Sequence, residues 1–204
     1  MFTTLFLLVF STLSACTYLP SGSVLFKDDF STPYEGWSVG EDSAGIVGFS
    51  EQSLVIYLKE RKSIRLSTPG LDFKAARIEV DASKAAGPDD NDFGIICGYK
   101  DESNFYFLEI SSDGYYGIGQ NQQGETTLIS ADKMQSSDYI HQGETINQLR
   151  ADCADGKLIL YVNGFQIARV EGYNDISGGV GLIAGTLDAP GVGIRFDNFI
   201  VYVP

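Results

Sequence analysis

The chain has 204 residues, 44 % of them apolar, and a net charge of −13. That apolar share supports one sizeable core, and all-β sandwiches reach this length as a single domain. An acidic surface without a basic patch repels phosphate backbones, which sets nucleic acid aside as a partner. The 23 Gly, 11 Tyr and 13 Phe point to many turns between aromatic-rich strands.

Met1–Ala15 reads MFTTLFLLVFSTLSA and precedes Cys16. Its apolar centre, Leu5–Phe10, has signal-peptide length and is followed by small residues. It is too short for a spanning helix, which needs about 20 apolar residues. Leu13-Ser14-Ala15-Cys16 resembles the lipobox of bacterial lipoproteins. That family is cut before the cysteine, whose thiol is then diacylated. Met1–Thr4 lacks the Lys or Arg usual in such signals. The resemblance implies a signal over residues 1–15, acylation at Cys16, and a tether over residues 16–22 ahead of a domain spanning residues 23–204. The partner would be the lipid bilayer, held by acyl chains, and the location extracytoplasmic. Fully extended, Thr17–Gly22 reaches at most about 20 Å.

Val24–Phe30 opens the domain as a strand, and Ser31–Gly40 is a loop with the sole tryptophan, Trp37. Short strands are expected at Ile46–Phe49, Leu54–Leu58 and Ile64–Leu66, and a longer one at Phe73–Ala82. Ser83–Asp92 (SKAAGPDDND) reads as a turn-rich loop. Phe93–Lys100, Asn104–Ile110 and Tyr115–Gln120 follow, with Ser111–Gly114 as a turn. Thr126–Ile129 is a short strand. Ser130–Gly143 is a polar connection holding His141, the only histidine. That position reads as a solvated loop histidine, with no Ser-His-Asp geometry behind it.

The clearest local pattern is Asn147–Val170. Asp155-Gly156 and Asn163-Gly164 are dipeptides that tolerate the positive φ of tight hairpins, so three antiparallel strands follow in a row. Leu149, Ala151 and Cys153 share one face, and Arg150 and Asp152 the other. Gly179–Gly185 and Val192–Val203 close the chain. Ile194/Phe196 and Phe199/Val201 fall on opposite phases of the alternation, which a bulge near Asp197-Asn198 reconciles.

Leu25–Phe30, Asn104–Ile118, Asn147–Gly164 and Gly179–Val201, in that order, resemble the concanavalin A-like lectin/glucanase superfamily, nearest its laminin G-like and sugar-hydrolase-related jelly rolls. The resemblance implies an all-β, two-sheet antiparallel jelly-roll sandwich with one concave sheet. It does not fix function, because such folds serve as lectins, adhesion modules, hydrolases and spacers. The superfamily's glucanases carry a Glu-x-Asp-x-x-Glu strand. No such spacing occurs here, so no catalytic residue is assigned.

If Ile78/Val80, Tyr106/Leu108/Ile110 and Leu149/Ala151/Cys153 face the core, the opposite faces hold Arg77, Glu79, Asp81, Phe105, Phe107, Glu109, Tyr115, Arg150 and Asp152. Aromatic planes beside charged groups suit a glycan or peptide ligand, and the expectation is that these nine gather on the concave face. The bland alternative makes them packing residues and a solvated charged face. Related jelly rolls often hold a structural Ca²⁺ where first and last strands meet; the matching carboxylates are Asp28 or Asp29 and Asp197. With Cys16 acylated, Cys97 and Cys153 remain as an even pair in an oxidising compartment, either bridged or as buried thiols, the bridge being favoured. The leading functional expectation is a membrane-anchored, non-catalytic domain binding a glycan or envelope component. The alternatives are a sugar-acting hydrolase on the concave sheet and a structural or protein-interaction module.

Overall fold

A computed structural model describes residues 19–173 and 175–204. The expected signal and Cys16 lie outside the described residues. The strands, in chain order, are β1 (Val24–Asp28), β2 (Gly40–Glu41), β3 (Gly45–Ser50), β4 (Ser53–Leu58), β5 (Ile64–Ser67), β6 (Asp72–Phe73), β7 (Ala76–Ala86), β8 (Asn91–Asp101) and β9 (Asn104–Ile110). They continue as β10 (Tyr115–Gln122), β11 (Glu125–Leu128), β12 (Gln135–Ser136), β13 (Asn147–Ala154), β14 (Lys157–Val162), β15 (Phe165–Glu171), β16 (Gly178–Thr186) and β17 (Val192–Tyr202). Among the described residues no helix is long and apolar enough to cross a membrane.

The strands form two antiparallel sheets. One has nine strands in the order β15-β14-β13-β7-β17-β4-β3-β2, with β1 also paired to β17. The other has eight in the order β11-β10-β9-β8-β16-β5, with β12 on β10 and β6 on β16. Alternation puts Ile78, Val80, Leu149, Ala151, Leu158 and Leu160 of the first sheet against Ile95, Leu108, Ile110 and Leu182 of the second, all essentially inaccessible. Burying each such side chain contributes about 1.5–3 kcal/mol. The Cys97–Cys153 disulfide spans this core from β8 to β13.

Both hairpin dipeptides do what their chemistry allows. Asp155 and Gly156 have φ of 52° and 71°, and Asn163 and Gly164 of 52° and 85°. These values are those of type I′ turns, whose twist matches the flanking strands. The bulge in β17 sits where the phase change requires it: the register with β7 shifts between Asp197 and Ile200, and Asn198 takes φ of 54°. Phe196 and Phe199 are thereby both fully buried.

Two loop expectations need correction. Ser83–Asp92 is mostly strand: pairing of β7 with β17 continues to Ala86, and β8 begins at Asn91. The ladder to β17 outweighs the turn-forming composition there. Within Ser130–Gly143, β12 pairs Gln135 and Ser136 with Tyr116 and Tyr115.

Asp28 explains the opening motif. Its carboxylate accepts hydrogen bonds from the Phe30 and Tyr34 amides, both 2.8 Å, and from Trp37 Nε1 at 2.9 Å. It ties the Ser31–Gly40 loop into an aromatic cluster in which Trp37 meets Phe199 edge-on, with centroids 5.1 Å apart.

Candidate functional site

The nine residues expected on one face occupy two. Arg77, Glu79, Asp81, Arg150 and Asp152 lie on β7 and β13 of the nine-stranded sheet, whereas Phe105, Phe107, Glu109 and Tyr115 lie on β9 and β10 of the other. The physical reason is the sandwich itself. The alternation that sends Ile78 and Leu108 inward to meet sends their neighbours outward, away from each other.

On the nine-stranded sheet Asp152 gathers two of the outward cations. Asp152 accepts from Arg77 Nε at 3.0 Å and Arg150 Nε at 2.8 Å, and the Arg150 guanidinium lies 4.3 Å over the Tyr161 ring. The Asp152 hydrogen bond, above all, holds the Arg150 pKa above its ordinary value. Asp81 accepts from Asn198 Nδ2 at 3.0 Å.

The outer face of the eight-stranded sheet carries a second apolar cluster, Ile96, Phe105, Phe107 and Ile183, flanked by Leu66, Tyr99 and Leu128. Glycines make room for it. A Cβ at Gly119 would meet the Phe107 ring at 2.0 Å, so the ring lies flat across bare backbone. Glu109 stands between Gly94 and Gly117 on its two neighbouring strands. Asp92 sits two residues before Gly94 on β8, diagonal to Glu109, at a separation of roughly 7–8 Å for such positions. Neither carboxyl has a salt bridge or a hydrogen bond from a described side chain, and Asp92 Oδ1 is sealed from solvent. Burial, then the nearby Asp90 and Asp113 charges, pushes the Asp92 pKa up to about 6. Burial first, and Asp92 second, drives that of Glu109 well above the carboxylate range.

The same sheet ends in a cavity of about 420 Å³, lined by Lys100, Asn104, Phe105, Asn121, Gln122 and Asp175, among others. A bulge in β8 between Cys97 and Asp101, with Gly98 at φ of 60°, bends the strand just before Lys100. Asn121 is only 7 % exposed, and its Oδ1 receives no hydrogen bond. A buried amide oxygen without a donor is costly unless something supplies one. Phe105 is the only one of the nine expected residues in this cavity. Asn121, Lys100 and Asp175 escape sequence reading because they sit at strand ends and in turns, where alternation gives no signal. The cavity lies at the end of the sandwich that holds the Cys97–Cys153 bridge and, through Cys153–Ala76 and Arg77–Tyr202–Val24 pairing, the amino-terminal strand.

Calcium does not fit the residues expected to hold it. Asp28 has both carboxylate oxygens committed to N–H donors, Asp29 accepts from Ser31, and Asp197 Oδ1 accepts from the Asn198 amide. No cluster of three His, Cys, Asp or Glu among the described residues is arranged for a metal ion. His141 is exposed in its loop, its amide donating to Asn147 Oδ1 at 2.8 Å.

No protein-family model matches the chain. No curated protein matches it either. Solved structures do. A carbohydrate-binding module of Bacillus subtilis superposes with a TM-score of 0.66 at 12 % identity, over 82 % of this chain and 95 % of that one. A Bacillus subtilis protein with a galectin-like fold gives 0.65 at 13 %, over 90 % and 97 %. A glycosidic hydrolase gives 0.63 at 12 %, over 88 % and 97 %. The chain has the concanavalin A-like jelly-roll fold. Identities this low speak for the fold alone. The bridge between Cys97 and Cys153 is formed, with both residues on the core phase expected of them.

Proposed function

We propose that this chain is a carbohydrate-recognition domain, that its sugar site is the cavity around Lys100, Phe105 and Asn121, and that an acylated Cys16 holds it at a membrane outside the cytoplasm. The observation that carries the sugar site is the cavity's lining, which sets the side-chain amides of Asn104, Asn121 and Gln122 beside Lys100 and Asp175. Gln120 adds a further neutral amide, and the part-exposed Tyr106 adds an aromatic side chain. One structural neighbour is a carbohydrate-binding module by name, which agrees with this reading.

The anchor rests on the Leu13–Cys16 motif. Two residues separate Cys16 from Leu19, and the three steps span at most about 10 Å of chain. Gly22 is tied to Val203 by a 2.8 Å backbone hydrogen bond. Acylation would therefore keep the cavity end of the sandwich toward the bilayer. Intact-mass analysis of the mature protein tests this: the expected species begins at Cys16 and carries a diacylglyceryl group, and an unmodified cysteine removes the anchor.

The sugar site is tested by calorimetric titration of the full chain, in a detergent without a sugar headgroup, against neutral oligosaccharides. Asn121→Ala is expected to weaken binding about tenfold or more, since a side-chain amide lining the cavity is lost. Unchanged affinity in that variant would move the site elsewhere.

A second reading, glycan hydrolysis, is favoured by the Asp92–Glu109 pair. Carboxyls whose pKa burial raises are what a general acid requires. Reducing-end release by wild type, abolished in Glu109→Gln, is its signature. A wild type that releases nothing ends it.

A further inference from the structure

We infer that the ligand is a neutral glycan chain of at least two sugar units, lying across Lys100 from the first cavity into a second. The inference rests on the carbohydrate reading above and deepens it. The second cavity, about 270 Å³, is lined by Thr68, Asp72, Tyr99, Lys100, Gly178 and Gly179. Alone it is smaller than the ~300–1,000 Å³ of a self-standing ligand site. It adjoins the first, however, because Lys100 lines both. The aromatic wall continues across the junction: the Tyr99 and Phe105 rings are 6.2 Å apart at 33°. Of the two, the part-exposed Tyr99 ring offers a platform to the apolar face of a sugar in the second cavity, and the buried Phe105 ring packs against it. Gly178 and Gly179 leave backbone without side chains along the second cavity, and the Asp72 carboxylate accepts no hydrogen bond from a described residue, leaving it free for hydroxyls.

The charge selects a neutral chain. Lys100 is the only basic residue lining either cavity, and it lies 3.4 Å from Asp175. Asp72 adds a second carboxylate, and the whole chain carries −13. A uronate or sulfated glycan meets repulsion locally and at long range.

The test compares lengths. Full-length protein in a sugar-free detergent is titrated with gluco-, manno-, xylo- and fructo-oligosaccharides of one to six units, and with a uronate oligomer. Affinity for the preferred series is expected to rise about tenfold or more between one unit and three. Asp72→Ala is expected to erase that gain, whereas Asn121→Ala lowers the affinity for a single unit as well. Equal affinity for all lengths, indifference to Asp72→Ala, or preference for the uronate would overturn this inference and leave the sugar site standing. Wild type that binds no member of the panel overturns both. Circular dichroism of each variant separates lost binding from lost fold.

Discussion

On one outer face of the sandwich, Arg77, Arg150 and Asp152 hold one another at 2.8–3.0 Å, and Arg150 caps Tyr161. On the other, Phe105, Phe107, Ile96 and Ile183 are buried outside the main core, and Asp92 and Glu109 have no cation to pair with. Both faces arise from the same alternation of strand residues. The first is a polar face on which Asp152 pairs with two arginines. The second trades side chains for glycine, admits aromatic rings, and tolerates polar groups that fold stability alone would select against. Asp92 Oδ1 and Asn121 Oδ1, both buried without a partner, lie on the eight-stranded sheet, and that contrast supports the proposal that function lies there.

The largest effect should come from the link between the sheets. Replacing Cys97 and Cys153 by Ala opens a loop of 56 residues and should lower stability by about 4 kcal/mol, read from the denaturant midpoint. Next is Phe107→Ala, which removes a ring 4 % exposed and should lose about 3 kcal/mol. A much smaller loss would mean that the second cluster is loosely covered surface, and the contrast between faces would weaken.

The acids act with the opposite sign. Asp92 holds its proton up to about pH 6 when folded, against 3.8 ordinarily. Between those values the folded protein binds protons that the unfolded chain has released. The contribution is therefore fully present below about pH 4 and is lost as pH rises through 6. The melting temperature of wild type should fall over that interval. Asp92→Asn should flatten the profile and stabilise the protein at pH 7 by an order of 1–3 kcal/mol. A profile that rises with pH in both proteins would contradict the burial of this pair. Smallest is Arg150→Met, expected to change stability by less than about 1 kcal/mol, because Asp152 keeps its Arg77 partner and the methionine stem still covers Tyr161. An Arg150→Met loss larger than that of Phe107→Ala would reverse the comparison.

Much of the fold was legible in short-range pattern. Asp155-Gly156 and Asn163-Gly164 named their hairpins, the phase change at Asp197-Asn198 named its bulge, and Cys97 and Cys153 were on core phases. These are local properties: a period of two, a positive φ, a residue that turns inward. The calcium expectation drew on resemblance, and of its carboxylates Asp28 serves Trp37 and two backbone amides.

By itself, then, the sequence determined which residues of each strand face inward, where the tight turns fall, and that the product is an all-β sandwich. Which outward residues become neighbours was decided only by the tertiary structure. Alternation says that Arg150 and Phe107 both avoid the core, but not that they do so on opposite sides of it. Sheet order brings β8, β9, β10 and β16 together, leaves the rings above glycines, and closes a cavity around Asn121. Those contacts join residues distant along the chain, and no local periodicity encodes them.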